Sequence, residues 1–218
     1  MCFFISTNFS SKKVKDTFPV DCQFEPLQKN EIVNGFSHPK ILIIADNDFH
    51  NVQWGTWGLI PNNTQNTDIQ KMTLNARIET IQEKWSFKNS FSQRCLVLAD
   101  AFYEWKWLDI KGKRKEKYKI SLKTEDALFS LGGIYNLWFD EVSGEELATF
   151  SIVTTQANSL MAEIHHTKKR MPLVLDRNHS MNWLHGAPLS DYAYPQYQPE
   201  LVAQKDNGDL WDGADSWF

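Results

Sequence analysis

Three cysteines, Cys2, Cys22 and Cys95, stand in 218 residues. They are too few and too scattered for a disulfide framework. No apolar run approaches the roughly 20 residues a helix needs to cross a bilayer. The opening MCFFISTNFSSKK has a short apolar stretch with no basic residues before it, so it does not read as a secretory signal. A surplus of positive charge is also lacking: the formal net charge is −4, which excludes a protein held on nucleic acid by global charge alone. A local basic patch stays open. No segment repeats at a fixed period or falls into low complexity. The chain has no Gly-rich phosphate loop, GxSxG elbow, HExxH or CxxC pair. His165 and His166 are adjacent, and sequence neighbours rarely turn both rings to one ion. Neither a metal nor a cofactor is therefore expected, and the chain reads as soluble and cytoplasmic, without a membrane partner.

Apolar residues make up 42% and charged residues 23%, ordinary globular usage that argues against disorder. The length suits one sizeable domain. Strand-like runs occur at 41–45 (ILIIA), 94–99 (RCLVLA), 101–108 (AFYEWKWL), 117–122 (KYKISL), 128–138 (LFSLGGIYNLW), 149–155 (TFSIVTT) and 171–175 (MPLVL). Turn chemistry joins two pairs as hairpins, at 109–113 and at 140–146 with Gly144. The polar stretch 61–68 reads as a surface loop. Helical composition is confined to 76–84 (ARIETIQEK), 158–164 (NSLMAEI, with Asn158 as cap) and, more weakly, 179–184. Strands outnumber helices without alternating with them. The expectation is a single α+β domain over 1–218, largely antiparallel, with an irregular tail over 188–218.

Several residues could carry chemistry. A small side chain at position 2 permits removal of Met1, which leaves Cys2 with an α-amine and a thiol two carbons apart. Such a pair captures an aldehyde first as an imine and then as a five-membered thiazolidine. The alternative is a small hydrophobe at a frayed end. Glu104, between Tyr103 and Trp105, is either a desolvated proton shuttle or a solvated strand carboxylate beside Lys106. His165, between a helical stretch and a strand, is placed for proton transfer or is simply structural. Asn75 caps a helix or donates to a bound sugar. Arg77 and the run Lys168, Lys169, Arg170 hold phosphates or are solvated. Trp54, Trp57 and Pro61 offer a stacking surface or fill the core.

Taken in order along the chain, Cys2, WGLIP (57–61), NARIET (75–80), RCLVLADAFYEW (94–105), LGGIY, TTQAN (154–158) and IHHTKKRMPLVL (164–175) resemble the SRAP family, the SOS response-associated peptidase-like or abasic-site processing proteins. The blocks span residues 2 to about 184. The resemblance implies a barrel-like mixed β core flanked by a few helices. It also implies a monomer, nucleoid-associated in a bacterium, that binds single-stranded DNA and single-strand/duplex junctions and cross-links abasic sites through Cys2. By the same resemblance Glu104 shuttles protons, His165 stabilises the opened sugar, Asn75 holds the cross-link and Arg77 grips a flanking phosphate. Self-processing ahead of Cys2 would use the same cluster. This chain departs from the family's usual Gly-Arg after the cysteine, with Phe3 and Phe4, so a DNA-contacting cation there is lost or replaced by stacking. It has Leu98 and Ala101 where Pro and Gly are common. Its loop is lengthened by Lys168 and Lys169, and His166 receives no role. Two other function classes compete: a Cys-dependent peptidase or amidase, and a non-covalent reader of modified or single-stranded DNA.

Overall fold

The computed structural model describes residues 2–22, 32–123, 128–165 and 167–206; His166 and the last twelve residues of the expected tail lie outside them. The elements in chain order are β1 (Phe4–Ser6), α1 (Ser11–Thr17), β2 (Val33–Asn34), β3 (Lys40–Ala45), β4 (Asp48–Trp57), β5 (Asn75–Arg77), β6 (Arg94–Ala99) and β7 (Ala101–Trp107). There follow β8 (Lys115–Leu122), β9 (Phe129–Asp140), β10 (Glu145–Gln156), α2 (Ser159–Ile164), β11 (Arg170–Pro172), β12 (Val174–Leu175), α3 (Arg177–Leu184) and β13 (Leu201–Lys205).

Five strands close a ring, β10-β4-β3-β6-β9, completed by the β9–β10 hairpin; β5, β11 and β12 attach to it. A second sheet runs β13-β8-β7-β1-β2. Among these strand pairings only β10–β4 and β10–β5 are parallel, so the α+β, largely antiparallel expectation describes the fold. Both hairpins form where the turn residues stand. The Asp109 carboxylate accepts the N–H groups of Lys111, Lys113 and Arg114, while Gly112 turns at φ +62° against Trp107. A Cβ at Gly112 would come within 2.7 Å of the Trp107 ring, which with the positive φ explains the glycine.

Strands β3 and β6 are buried on both faces. Ile41, Ile43, Cys95 and Val97 join a cluster with Trp57, Phe102 and Phe150; Leu42, Ile44, Leu96 and Leu98 join one with Phe18 and Trp183 of α3. Near-continuous apolar runs are the sequence mark of such two-sided burial. Leu98 and Ala101 are themselves fully buried.

Three expectations are corrected. Residues 76–84 are not helical: β5 pairs in parallel with β10, and a chain of single turns follows, with Thr80 N–H donating to Arg77 O and Glu83 N–H to Thr80 O. The helix-like spacing of Ile78 and Ile81 is satisfied because those turns bury both side chains. The run 171–175 is two short strands, β11 and β12, serving β10 and β9 respectively. Within the supposedly irregular tail, β13 pairs with β8 over five residues.

Candidate active site at the N-terminal strand

Strand β1 is only three residues long, too short to hold itself. It is fixed by antiparallel pairing with β7 (Phe4 opposite Tyr103, Ile5 opposite Phe102) and with β2 (Ile5 opposite Val33). Because β1 runs against β7, the residues before Phe4 lead toward the Glu104 end of β7. Cys2 is fully buried there. Asn75 Nδ2, on β5, donates to the Cys2 carbonyl at 2.9 Å. Asn75 is thus a strand residue joined to the N-terminal segment across the fold, not a helix cap. Its Oδ1 is buried with no hydrogen-bond partner among the described residues.

Glu104 is 6% exposed. Burial raises its carboxyl to about 7, so it divides between acid and carboxylate near neutrality. The same burial, reinforced by the Glu104 charge, pushes the Cys2 thiol far above its ordinary range and keeps it protonated. His165 follows α2, which Asn158 caps by accepting the Met161 N–H, as expected from the sequence. His165 Nδ1 lies 3.0 Å from Arg170 O and 3.8 Å from Glu104 Oε1. A carbonyl can only accept, so Nδ1 carries a proton directed at Arg170 O. That carbonyl, which orients the imidazole, has no signature in side-chain sequence.

Cys2, Asn75, Glu104 and His165 therefore converge from the N-terminal segment, β5, β7 and the end of α2. The expected DNA-contacting residues divide. Arg77 is exposed at the end of β5, and Lys168 and Lys169 are exposed on the loop after His165. Arg170 faces inward: it is 7% exposed, donating to Glu79 at 2.8 Å and to Thr154 O at 2.7 Å. Trp57 is fully buried, its indole N–H donating to Leu74 O at 2.9 Å, and its ring stacks near Phe150. Pro61 is buried as well. Neither presents a face to a base; the stacking surface expected of them is core, while Trp54 is 43% exposed. Phe3 packs on Phe36 and Phe4 edge-on to Trp105, so both departures after Cys2 enter aromatic pairs. Among the described residues no group of three or more His, Cys, Asp or Glu is arranged to hold a metal.

The geometry has close counterparts. The family model described as SOS response associated peptidase (SRAP) matches residues 1–205. Abasic site processing protein YoaM of Bacillus subtilis (strain 168) is 36% identical over 198 residues, covering 89% of this chain and 82% of that protein. Abasic site processing protein HMCES of Gallus gallus is 34% identical over 151 residues, 59% of this chain and 43% of that longer protein. A crystal structure of a Bacteroides thetaiotaomicron protein superposes with a TM-score of 0.80 at 33% identity, covering 95% of this chain and 93% of that one. With nearly the whole chain matched, this protein belongs to the SRAP family.

Proposed function

We propose that the protein processes abasic sites in single-stranded DNA by forming a covalent, reversible thiazolidine cross-link through Cys2 once Met1 has been removed. The observation that carries this reading is the convergence of fully buried Cys2 with Asn75, which donates to its carbonyl at 2.9 Å, and with a buried Glu104 that lies 3.8 Å from His165. The α-amine of Cys2 adds to the aldehyde carbon of the ring-opened sugar, and loss of water gives an imine. The thiol sulfur then adds to the imine carbon while its proton passes to nitrogen; aldehyde and Cys2 thereby become thiazolidine and one water. Each stage moves a proton. Glu104, half-protonated near neutrality, donates one to open the sugar and expel water, and accepts one from the thiol. A thiol kept protonated until that point does not compete with the amine for other electrophiles. His165, held by Arg170 O beside Glu104, stabilises the opened sugar. The bare Asn75 Oδ1 is an acceptor for a second donor of the adduct; leaving such an atom unpaired costs about 1–3 kcal/mol, which a bound ligand recovers. Arg77, Lys168 and Lys169 hold flanking phosphates.

The test is a denaturing gel on protein whose intact mass confirms loss of Met1. A single-stranded oligonucleotide with one abasic site should give a retarded band that is absent with undamaged DNA and absent with Cys2→Ala. Turnover of an amide substrate without a retarded band would instead favour the peptidase class, and salt-sensitive binding indifferent to Cys2 the non-covalent reader.

A further inference from the structure

Positive charge is scarce in this chain, yet six of its 23 Lys and Arg fall within residues 111–119, where Glu116 is the one acid. The fold turns that run into one arm of the β7–β8 hairpin. In the register, Lys115 stands opposite Trp107, Lys117 opposite Trp105 and Lys119 opposite Tyr103, while Phe4 stands opposite Tyr103 on its other side. Directly opposed residues share a sheet face, so three lysines and a row of aromatics alternate on one face. Lys115 Nζ lies 5.2 Å from the Trp107 ring centroid, and Lys117 Nζ 5.0 Å from that of Tyr103. Lys117 also pairs with Asp206 at 2.7 Å, and Lys119 lies 4.0 Å from Asp100. The tip adds exposed Lys111, Lys113 and Arg114, the last 3.9 Å from Asp109. The face begins at Phe4, two residues from Cys2, and continues through Trp105 to the tip.

We propose that this aromatic–lysine face of the β7–β8 hairpin, on the side of β7 opposite Glu104, is a binding surface for single-stranded DNA outside the Cys2 cluster. Alternate strand positions repeat every ~6.8 Å, on the scale of successive phosphates in an extended single strand. The partly exposed Trp107 supplies a platform that any base can use, whereas Tyr103, 4% exposed, does not. An acidic peptide would use the lysines but not the rings. The inference rests on the reading that this protein acts on DNA, and goes beyond it in naming residues outside the Cys2 cluster.

The experiment is fluorescence anisotropy of an undamaged oligothymidine across a salt series. The triple variant Lys111→Ala/Lys113→Ala/Arg114→Ala should bind roughly tenfold or more weakly at low salt, with a log K against log salt slope shallower by about 2. Trp107→Leu should weaken binding roughly five- to hundredfold, and Trp107→Phe much less. Lys12→Ala/Lys84→Ala/Lys88→Ala removes the same charge from exposed sites elsewhere and should leave binding unchanged. Equal loss in both triples, no loss in the hairpin triple, or displacement of the strand by poly-glutamate as readily as by DNA would overturn the proposal. The cross-linking gel with wild-type protein is read separately. A retarded band with hairpin-independent binding sinks only the hairpin; hairpin-dependent binding without a band sinks only the cross-link.

Discussion

Glu104 carries a stability signature beside the chemical role proposed for it. Its carboxyl is raised by burial from about 4.5 to about 7, so the folded state holds the proton more tightly than the unfolded chain. The stabilisation is complete below pH 4.5 and is lost as pH climbs to 7, amounting to roughly 3 kcal/mol. Glu104→Gln cannot titrate. Its Tm should therefore gain on that of wild type by several degrees between pH 4.5 and 7 and hold that gain above pH 7. Cross-linking by the same variant should fall roughly 10²- to 10⁴-fold. Parallel Tm profiles for the two proteins would contradict the burial argument. The sequence pointed to Glu104 because bulky aromatics flank it, and desolvation follows from bulky neighbours. It also pointed to Trp57, where the same reasoning misled: an indole ring reads alike in a core and on a stacking surface, and only the fold shows its N–H bound to Leu74 O. Arg170 is a similar case, a cation in a basic run whose terminal nitrogens donate to Glu79 and Thr154 inside the fold.

Short elements hold the site, and their caps matter accordingly. Helix α2 has six residues, and His165 sits at its end. Asn158→Ala removes the acceptor of the Met161 N–H and should cost about 1 kcal/mol, or roughly 2–4 °C in Tm, together with part of the cross-linking rate. Asn158→Asp restores a capping oxygen and should restore both; thermal melts and single-turnover gels on the pair check this. The cap was readable in sequence because Asn before an apolar helical run is a local signal. Strand β5 was not. Its three residues are defined by parallel pairing with β10, about 75 positions later, and no local pattern encodes a partner that distant. Strand β4 escaped for another reason: only three of its ten positions are buried, and polar Asp48, His50, Asn51 and Gln53 stand among the rest.

At the scale of the molecule, the closed five-stranded ring leaves the second sheet as the one with vulnerable edges. Strand β13 covers the edge of β8, with Leu201 and Ala203 packed against the core cluster that contains Ile120. Ending the chain after Glu200 should expose that edge, lower Tm and promote association at high concentration, visible by size-exclusion chromatography. Unchanged melting and a single unshifted peak would show that β13 is dispensable. The class of fold and both hairpins were legible because apolar runs and turn residues are local. The closure of the ring and the threading of β1 between β7 and β2 were not, since both depend on pairings between distant segments.

That threading has a practical consequence. A chain end ordinarily tolerates a fusion, but here the first strand lies inside a sheet and its leading cysteine is fully buried. On the proposed chemistry, an affinity tag ahead of Cys2 would convert the amine that attacks the aldehyde into an amide, next to a side chain the fold buries completely. The other end is better suited: β13 is separated from β1 by β8 and β7, so a handle placed after it leaves the N-terminal end that the proposed cross-link needs untouched.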